Sequence, residues 1–240
     1  MSDLFSYKIF ASGDAALTID FGNIINTEIN DHVISLFKNL LQHPLEGMTE
    51  AVPAYSSLTI YYDTIAIREK TSEDKTVFEW MKNEVQQFLQ QETGVYQHEN
   101  RVIKIPVCYE KEFAPDIEAV SSQLNISVNE IINIHLSKTY RVYMLGFLPG
   151  FAYMGEVDDR IILPRKPQPV PVVAGSVGVT GKQTGIYPFI SPGGWQIIGR
   201  TPEKLFDKEK AEPVLLRAGD TVQFYSISKD EFENIKSRNS

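Results

Sequence analysis

Glycine and proline are crowded into one stretch of the chain, and that crowding limits what the stretch can become. Of 15 glycines and 13 prolines, 10 and 8 respectively fall within residues 146–202. Glycine weakens a helix interior and proline breaks it, so no long helix fits there. Helical spacing of apolar residues also ends at Tyr140. Short apolar or β-branched runs remain between the turns: Arg141–Leu145, Ile161–Leu163, Val170–Val173, Gln196–Ile198 and Thr221–Tyr225. Many short strands joined by Gly/Pro turns predict a β-barrel or sandwich.

The first part of the chain differs. Tyr7–Phe10 and Ala16–Phe21 read as strands around Ser12-Gly13-Asp14, with Leu17, Ile19 and Phe21 alternating. Ile29, Val33, Leu36, Phe37 and Leu40 share one face of a helix expected from Thr27 to Leu41. Val52–Tyr55 and Ser57–Tyr62 read as strands, and a second helix is expected over Glu73–Gln90, started by Thr71 and Asp74. Strand Val102–Cys108 opens the second part. Helices follow from Pro115 and from a Ser127–Glu130 capping box. The last residues, KDEFENIKSRNS, are expected to fray.

Charge divides at the same place. Residues 1–95 hold 6 Lys+Arg and 14 Asp+Glu, whereas residues 96–240 hold 17 of each, so the net −8 of the chain lies in the first part. Two domains are expected, an acidic α/β domain over 1–95 and a β domain over 96–240, with a polar seam at Gln90–Asn100. The acidic balance argues against nucleic acid and against an anionic membrane surface as partners. No run approaches the ~18–20 apolar residues of a membrane span, and no signal segment is read at the start. A cytoplasmic location is expected. The single cysteine, Cys108, rules out an intrachain disulfide and a cysteine-rich zinc cluster.

Several motif resemblances fail on spacing. In Ala174–Thr184, Gly175 stands one residue too far from Gly181-Lys182, and Gln183 occupies the place where a phosphate-binding loop needs Ser or Thr. A Gly-rich β-turn is the better reading. His32, His43, His98 and His135 are scattered without metal-ligand spacing. His135 ends a helix, where the dipole favours it. Cys108 fits core packing.

Residues 140–155, YRVYMLGFLPGFAYMG, pack five aromatics, three glycines and a proline into 16 positions. Thr184–Pro188 and Ser191–Trp195 add two more aromatic turns. Turns normally lie at the surface, so an aromatic-lined groove is expected. The first turn contributes Tyr143, Phe147, Pro149 and Phe151. The Gly-rich segment contributes Ser176, Thr184 and Tyr187, and the last turn Gly193, Gly194 and Trp195. Arg141, Arg165, Gln183 and Arg200 are its candidate polar contacts. Such a groove suits either a small anionic substrate or a partner's helix.

The segments HLSKTYRVYMLGFLPGFAYMGEV, VAGSVGVTGKQTGIYP and SPGGWQIIGRTPEKLFD resemble the family of prokaryotic 5-oxoprolinase B subunits, also called allophanate hydrolase subunit 1-like or KipI-like. The specific motifs span Ile134–Asp207, and the length and two-part layout extend the likeness to nearly the whole chain. The resemblance implies an α+β protein, with a small N-terminal α/β sandwich and a C-terminal cyclophilin-like β-barrel. It implies ATP-dependent opening of 5-oxoproline to glutamate by a complex with the A and C subunits of 5-oxoprolinase. It also implies, for some members, binding to a sensor histidine kinase at its dimerisation helices and inhibition of its autophosphorylation, a role in sporulation regulation. A purely regulatory protein is the alternative. One departure is visible: relatives carry two Pro-Arg pairs before AGSV, whereas here Pro164-Arg165 is followed by Pro169-Val170.

Opening an unstrained lactam is favoured by phosphorylating its oxygen, which needs ATP, Mg and cationic stabilisation of the moving phosphoryl group. This chain shows no complete set, so it is expected to supply part of a shared site and to be inactive alone. Arg141 and Arg200 are the candidates for carboxylate or phosphate contacts, with Gln183 and His135 as weaker ones.

Overall fold

The computed structural model describes residues 5–72, 74–91 and 101–238. The expected seam at Gln90–Asn100 lies, from residue 92 on, outside the described residues. The chain forms two compact units, Met1–Glu99 and Asn100–Ser240.

In the first unit, β1 (Lys8–Ala11) and β2 (Ala16–Asp20) precede helix α1 (Thr27–Gln42). β3 (Met48–Pro53) and β4 (Ser57–Tyr62) follow, and the four strands form an antiparallel sheet in the order β1-β2-β4-β3. Helix α1 begins where the Asn26 side chain accepts from the Ile29 N–H at 3.0 Å. Its Val33, Leu36 and Leu40 share one core with Leu17, Ile19, Leu58 and Ile60 of the sheet. The alternation read in β2 therefore points the expected residues inward.

The second helix departs from its expectation. Its expected first residue, Glu73, lies outside the described residues. A short helix α2 (Thr64–Arg68), capped by Asp63, comes first, and α3 (Val77–Gln91) starts later. The capping box is Thr76–Glu79: Thr76 N–H donates to Glu79 Oε2 at 2.8 Å, and Glu79 N–H to Thr76 Oγ1 at 3.1 Å. Thr71 instead donates its hydroxyl to the Ile67 carbonyl at 2.8 Å. Glutamate reaches back to the cap N–H, whereas the shorter Asp74 bonds Ser72.

The second unit opens with β5 (Val102–Val107) and helices α4 (Ile117–Leu124) and α5 (Val128–Leu136). Strands β6 (Thr139–Leu145), β7 (Ala152–Gly155), β8 (Val170–Val172) and β9 (Ser176–Thr180) follow. Then come β10 (Gln183–Ile186), β11 (Ser191–Gly193), β12 (Gln196–Arg200), β13 (Thr221–Ser226) and helix α6 (Lys229–Arg238). Seven strands form one sheet in the order β12-β9-β10-β7-β6-β13-β5, and β8 and β11 form a separate pair. The β5–β13 pair is parallel. The sheet's two edges meet where Cys108 N–H donates to the Arg200 carbonyl at 2.8 Å and Arg200 N–H to the Cys108 carbonyl at 2.9 Å. The result is a nearly closed barrel, the first of the two architectures that the turn pattern allows. Ile117, Val120, Ile131 and Ile134 from α4 and α5 share its core with Val142, Val177, Ile198 and Val222.

Four strands stand in the Gly-rich region read only as turns: β7, β9, β10 and β11. Ile161–Leu163, read as β, is instead the end of a 3-10 turn over Asp159–Ile161, with Leu163 making one bridge to Gly181. The C-terminal segment, expected to fray, is helical from Lys229 to Arg238. Helix α6 starts at a Ser228–Glu231 box, and its buried Phe232 packs on Phe113 at 4.5 Å between ring centroids. Phe232, the half-buried Ile235 and contacts of Lys229 with Glu110 and Glu112 join the cap in holding this mostly polar helix. Among the described residues, no helix is long and apolar enough to cross a membrane.

Candidate functional site

The aromatic turns converge on one side of the barrel, but most of their rings turn inward. Phe151, Tyr187 and Trp195 are buried together with Val172 and Ile197, and Tyr153 packs beside them. The rings meet edge to face: Phe151 lies 5.2 Å from Tyr187 and 5.6 Å from Trp195, with interplanar angles of 79° and 86°. Tyr153 adds a contact to Trp195 at 6.0 Å. That geometry matches the ring quadrupoles, and each such pair adds about 0.5–1.5 kcal/mol beyond area burial. The expectation that turn aromatics line an open groove therefore needs correction. The turns are at the surface, and three of their rings form a second small core.

Glycine makes this packing possible. A Cβ on Gly185 would stand 3.0 Å from Trp195 Cζ3 and 3.1 Å from Phe151 Cζ. A Cβ on Gly193 would stand 2.7 Å from the Tyr187 hydroxyl oxygen. Backbone passes where a side chain would occupy the space of a ring.

Phe147 is the exception. It is 59% exposed, and its φ of 68° is the left-handed region that a bulky residue rarely adopts. Its ring meets Phe151 edge-on at 5.5 Å. The loop is closed by Gly146 N–H to the Phe151 carbonyl at 3.1 Å and Phe151 N–H to the Leu148 carbonyl at 2.9 Å. Leu145–Gly150, including Pro149, and Val214 border an open depression of about 410 Å³. Strain of this kind collects at functional positions.

His135 and Thr184 lie elsewhere, inside the barrel. Tyr109 Oη stands 2.8 Å from His135 Nδ1, and His135 Nε2 stands 3.1 Å from Thr184 Oγ1. The Thr184 hydroxyl donates to the Gly178 carbonyl at 3.1 Å. Thr184 therefore accepts from His135 Nε2–H, which leaves Nδ1 to accept from the Tyr109 hydroxyl; the network assigns the tautomer. Tyr140 and Phe224 stack on the imidazole at 5.2 and 4.7 Å. Burial lowers the His135 pKa to about 3 and pushes the Tyr109 hydroxyl up. This histidine is a fully enclosed hydrogen-bonding residue rather than a solvent-facing helix cap.

The three candidate arginines have separate surroundings. Arg200 donates from Nε to the Ala174 carbonyl at 2.8 Å, and its guanidinium lies 5.7 Å from the Phe232 ring centroid. It ties β12 to the Gly-rich segment and to α6. Arg141 is paired in register with Gly155, and Gly155 with Gln183. Register neighbours project to one face of a sheet, so Arg141 and Gln183 flank Gly155. Tyr143 covers the gap, 3.4 Å from where a Gly155 Cβ would stand. Arg165 is exposed beside the aromatic cluster. Burial raises the Tyr153 and Tyr187 pKa values, and the Arg165 charge pulls both back. Ser176 is buried in β9, and Gly194 accepts from the Lys166 N–H at 2.7 Å.

Sequence reading missed two members of this region. Tyr153 projects from β7 opposite the core residue Met154, which a period-2 reading of Ala152–Gly155 would have shown. The pair Lys166–Asp116, 2.6 Å apart, left no local signal because 50 residues separate its partners.

The Gly-rich segment does not fit a phosphate cradle. Its N–H groups are used in the fold: Gly175 donates to the Tyr187 carbonyl at 2.7 Å and Gly181 to the Leu163 carbonyl at 2.6 Å. Among the described residues, no three His, Cys, Asp or Glu side chains come together as metal ligands.

Comparison with known proteins agrees with this architecture. The family model described as the carboxyltransferase domain, subdomains C and D, matches residues 7–216. The 5-oxoprolinase B subunit of Bacillus subtilis is 42% identical over 96% of this chain and 97% of its own. A conserved uncharacterised protein of Pyrococcus horikoshii is 44% identical, with a TM-score of 0.53 over 94% of this chain and all of its own. The crystal structure of TTHA0988 superposes with a TM-score of 0.76 at 36% identity over 89% of this chain; the match spans 40% of that longer chain. The chain belongs to the family of 5-oxoprolinase B subunits and matches the carboxyltransferase-domain model over residues 7–216.

Proposed function

We propose that this chain is the B subunit of a cytoplasmic, ATP-dependent 5-oxoprolinase that opens 5-oxoproline to glutamate together with the A and C subunits. The observation that carries the reading is the 42% identity to such a B subunit along nearly the full length of both chains. The chemistry divides accordingly. ATP and Mg would supply the phosphoryl group that activates the lactam oxygen, and the other subunits would hold most of their contacts. Its part is to contribute the exposed loop around Phe147 and the exposed Arg165 to the shared site. Mixing the purified chain with the A and C subunits should give ATP hydrolysis that depends on 5-oxoproline, while the chain alone gives none. Absence of turnover from a correctly assembled complex would refute the reading.

A second reading is favoured by one observation. Phe147 is exposed at 59% and held out by its backbone, as an anchor for a partner's helices would be. In that reading the chain binds the dimerisation helices of a sensor histidine kinase and lowers autophosphorylation. Phe151 is buried, so Phe147 is the residue to change. Phe147→Ala should weaken kinase inhibition about tenfold or more without lowering the melting temperature. Equal inhibition by both proteins would remove this contact from consideration.

A further inference from the structure

We infer that the open face of the first unit's sheet docks a basic amphipathic helix of a partner protein. The inference concerns the first unit alone and does not depend on which reading of function holds.

Helices α1 and α3 pack on one face of the sheet, the face that carries Leu17, Ile19, Leu58 and Ile60. Side chains alternate along a strand, so Phe10, Thr18, Thr59 and Tyr61 belong to the other face. Register joins Phe10, Thr18, Thr59 and Val52 into one row that crosses all four strands, with Tyr61 in the next row. Phe10 is 46% exposed and Tyr61 42%, and two exposed rings on one sheet face mark an interaction surface. The hydroxyls between the apolar ends of the row satisfy one another. Ser12 Oγ lies 2.7 Å from Thr18 Oγ1, and Thr18 Oγ1 lies 2.9 Å from Thr59 Oγ1. Hydroxyls that are already paired lose little when water leaves, so the row can be covered at low cost.

The edges of this sheet do not invite another strand. β1 has four residues and carries Lys8, while β3 ends at Pro53 and is irregular between Met48 and Glu50. Short length, charge, proline and bulges all discourage edge pairing, which leaves the face as the surface to be covered.

Charge selects the occupant. Residues 1–95 hold 14 Asp+Glu against 6 Lys+Arg. On the face itself, exposed Glu50 is the register partner of Tyr61, and Asp20 stands one row beyond Thr18, opposite Lys8. Asp14 lies in the turn between β1 and β2. A second copy of the chain would set acid against acid, so the complement is a partner with lysine or arginine at its margins. Four strands spaced by ~4.8 Å span ~14 Å, which a helix of about three turns crosses. Its apolar stripe would lie on Phe10, Thr18 and Tyr61, with its basic residues toward Glu50 and Asp14.

The test uses the full chain, isotopically labelled, and three synthetic peptides of about 18 residues, long enough to form a helix on binding. One is a Leu/Lys peptide with a helical stripe, one has the same composition scrambled, and one is a Leu/Glu peptide with the stripe. The first should shift the Thr18, Thr59 and Tyr61 resonances saturably, and the other two should not. The double variant Phe10→Ser/Tyr61→Ser should bind it about tenfold or more weakly with the melting temperature kept, since both rings are exposed. Glu50→Lys should weaken binding about fivefold or more at ~0.05 M salt and little at ~0.5 M, and it decides the matter if the double variant melts early. Glu28→Gln, a control acid on α1, should leave the affinity as it was. Equal binding of the scrambled peptide, shifts confined to α1 and α3, unchanged affinity in Glu50→Lys, or no saturable shift would each overturn the proposal.

Discussion

At neutral pH His135 is uncharged, because full burial in the barrel leaves a positive charge desolvated. The folded imidazole titrates near 3 and the unfolded one near its ordinary 6.5. Between those values the unfolded chain holds more protons, so stability falls as pH drops through that window. The slope is up to about 1.4 kcal/mol per pH unit. Urea midpoints at pH 7.5 and 5.5 should differ in wild type and differ less in His135→Asn, which should also be less stable at both. Gly185 belongs to the same scale. A methyl group there meets Trp195, Phe151 and the Ala152 carbonyl at 3.0–3.1 Å. Gly185→Ala should cost about 1–3 kcal/mol by overpacking and should alter the near-UV signal of the Phe151–Trp195 cluster. Retention of the full melting temperature would show that the rings have room to move.

Among the elements, the C-terminal helix gives the sharpest test. Phe232 is buried beside Phe113, Cys108 and Ile227, and the Ser228–Glu231 box orders the first turn. Phe232→Ala should destabilise the second unit by about 3–5 kcal/mol, and Ser228→Ala by about 1 kcal/mol. Thermal melts of the two variants check the order, which a frayed tail would not produce. The sequence contains both signals, S-x-x-E and an isolated aromatic, yet a mostly polar segment reads as a tail when its partner Phe113 is far away in the chain. Helix α1 was legible for the opposite reason, since its stripe of Ile29, Val33, Leu36 and Leu40 is local. Strands β7, β9 and β10 were not, because their glycines suggest turns until the neighbours that crowd them are in place, such as Trp195 and Ile197 at Gly178 and the Trp195 and Phe151 rings at Gly185.

For the whole molecule, the charge division has a kinetic consequence. The first 95 residues carry the full net −8, and the remainder is balanced. If the acidic unit docks the other members of the complex, association should slow as salt rises from about 0.05 to 0.5 M, because screening removes long-range steering. Stopped-flow mixing with the A and C subunits measures this directly. A salt-independent rate would assign docking to apolar contacts such as those around Phe147.

The sequence by itself determined the fold class, the β character of the second part, the first helix and the family. Those features rest on local periodicity, on turn residues and on motifs that lie close together in the chain. Only the tertiary structure decided which side chains are available for function. It enclosed His135 and Thr184 in the barrel, committed Arg200 to the Ala174 carbonyl and the Phe232 face, and buried Phe151, Tyr187 and Trp195 on one another. It left Phe147 and Arg165 facing solvent. Burial depends on contacts between residues distant in sequence, such as His135 with Thr184 or Lys166 with Asp116, and no local pattern encodes them.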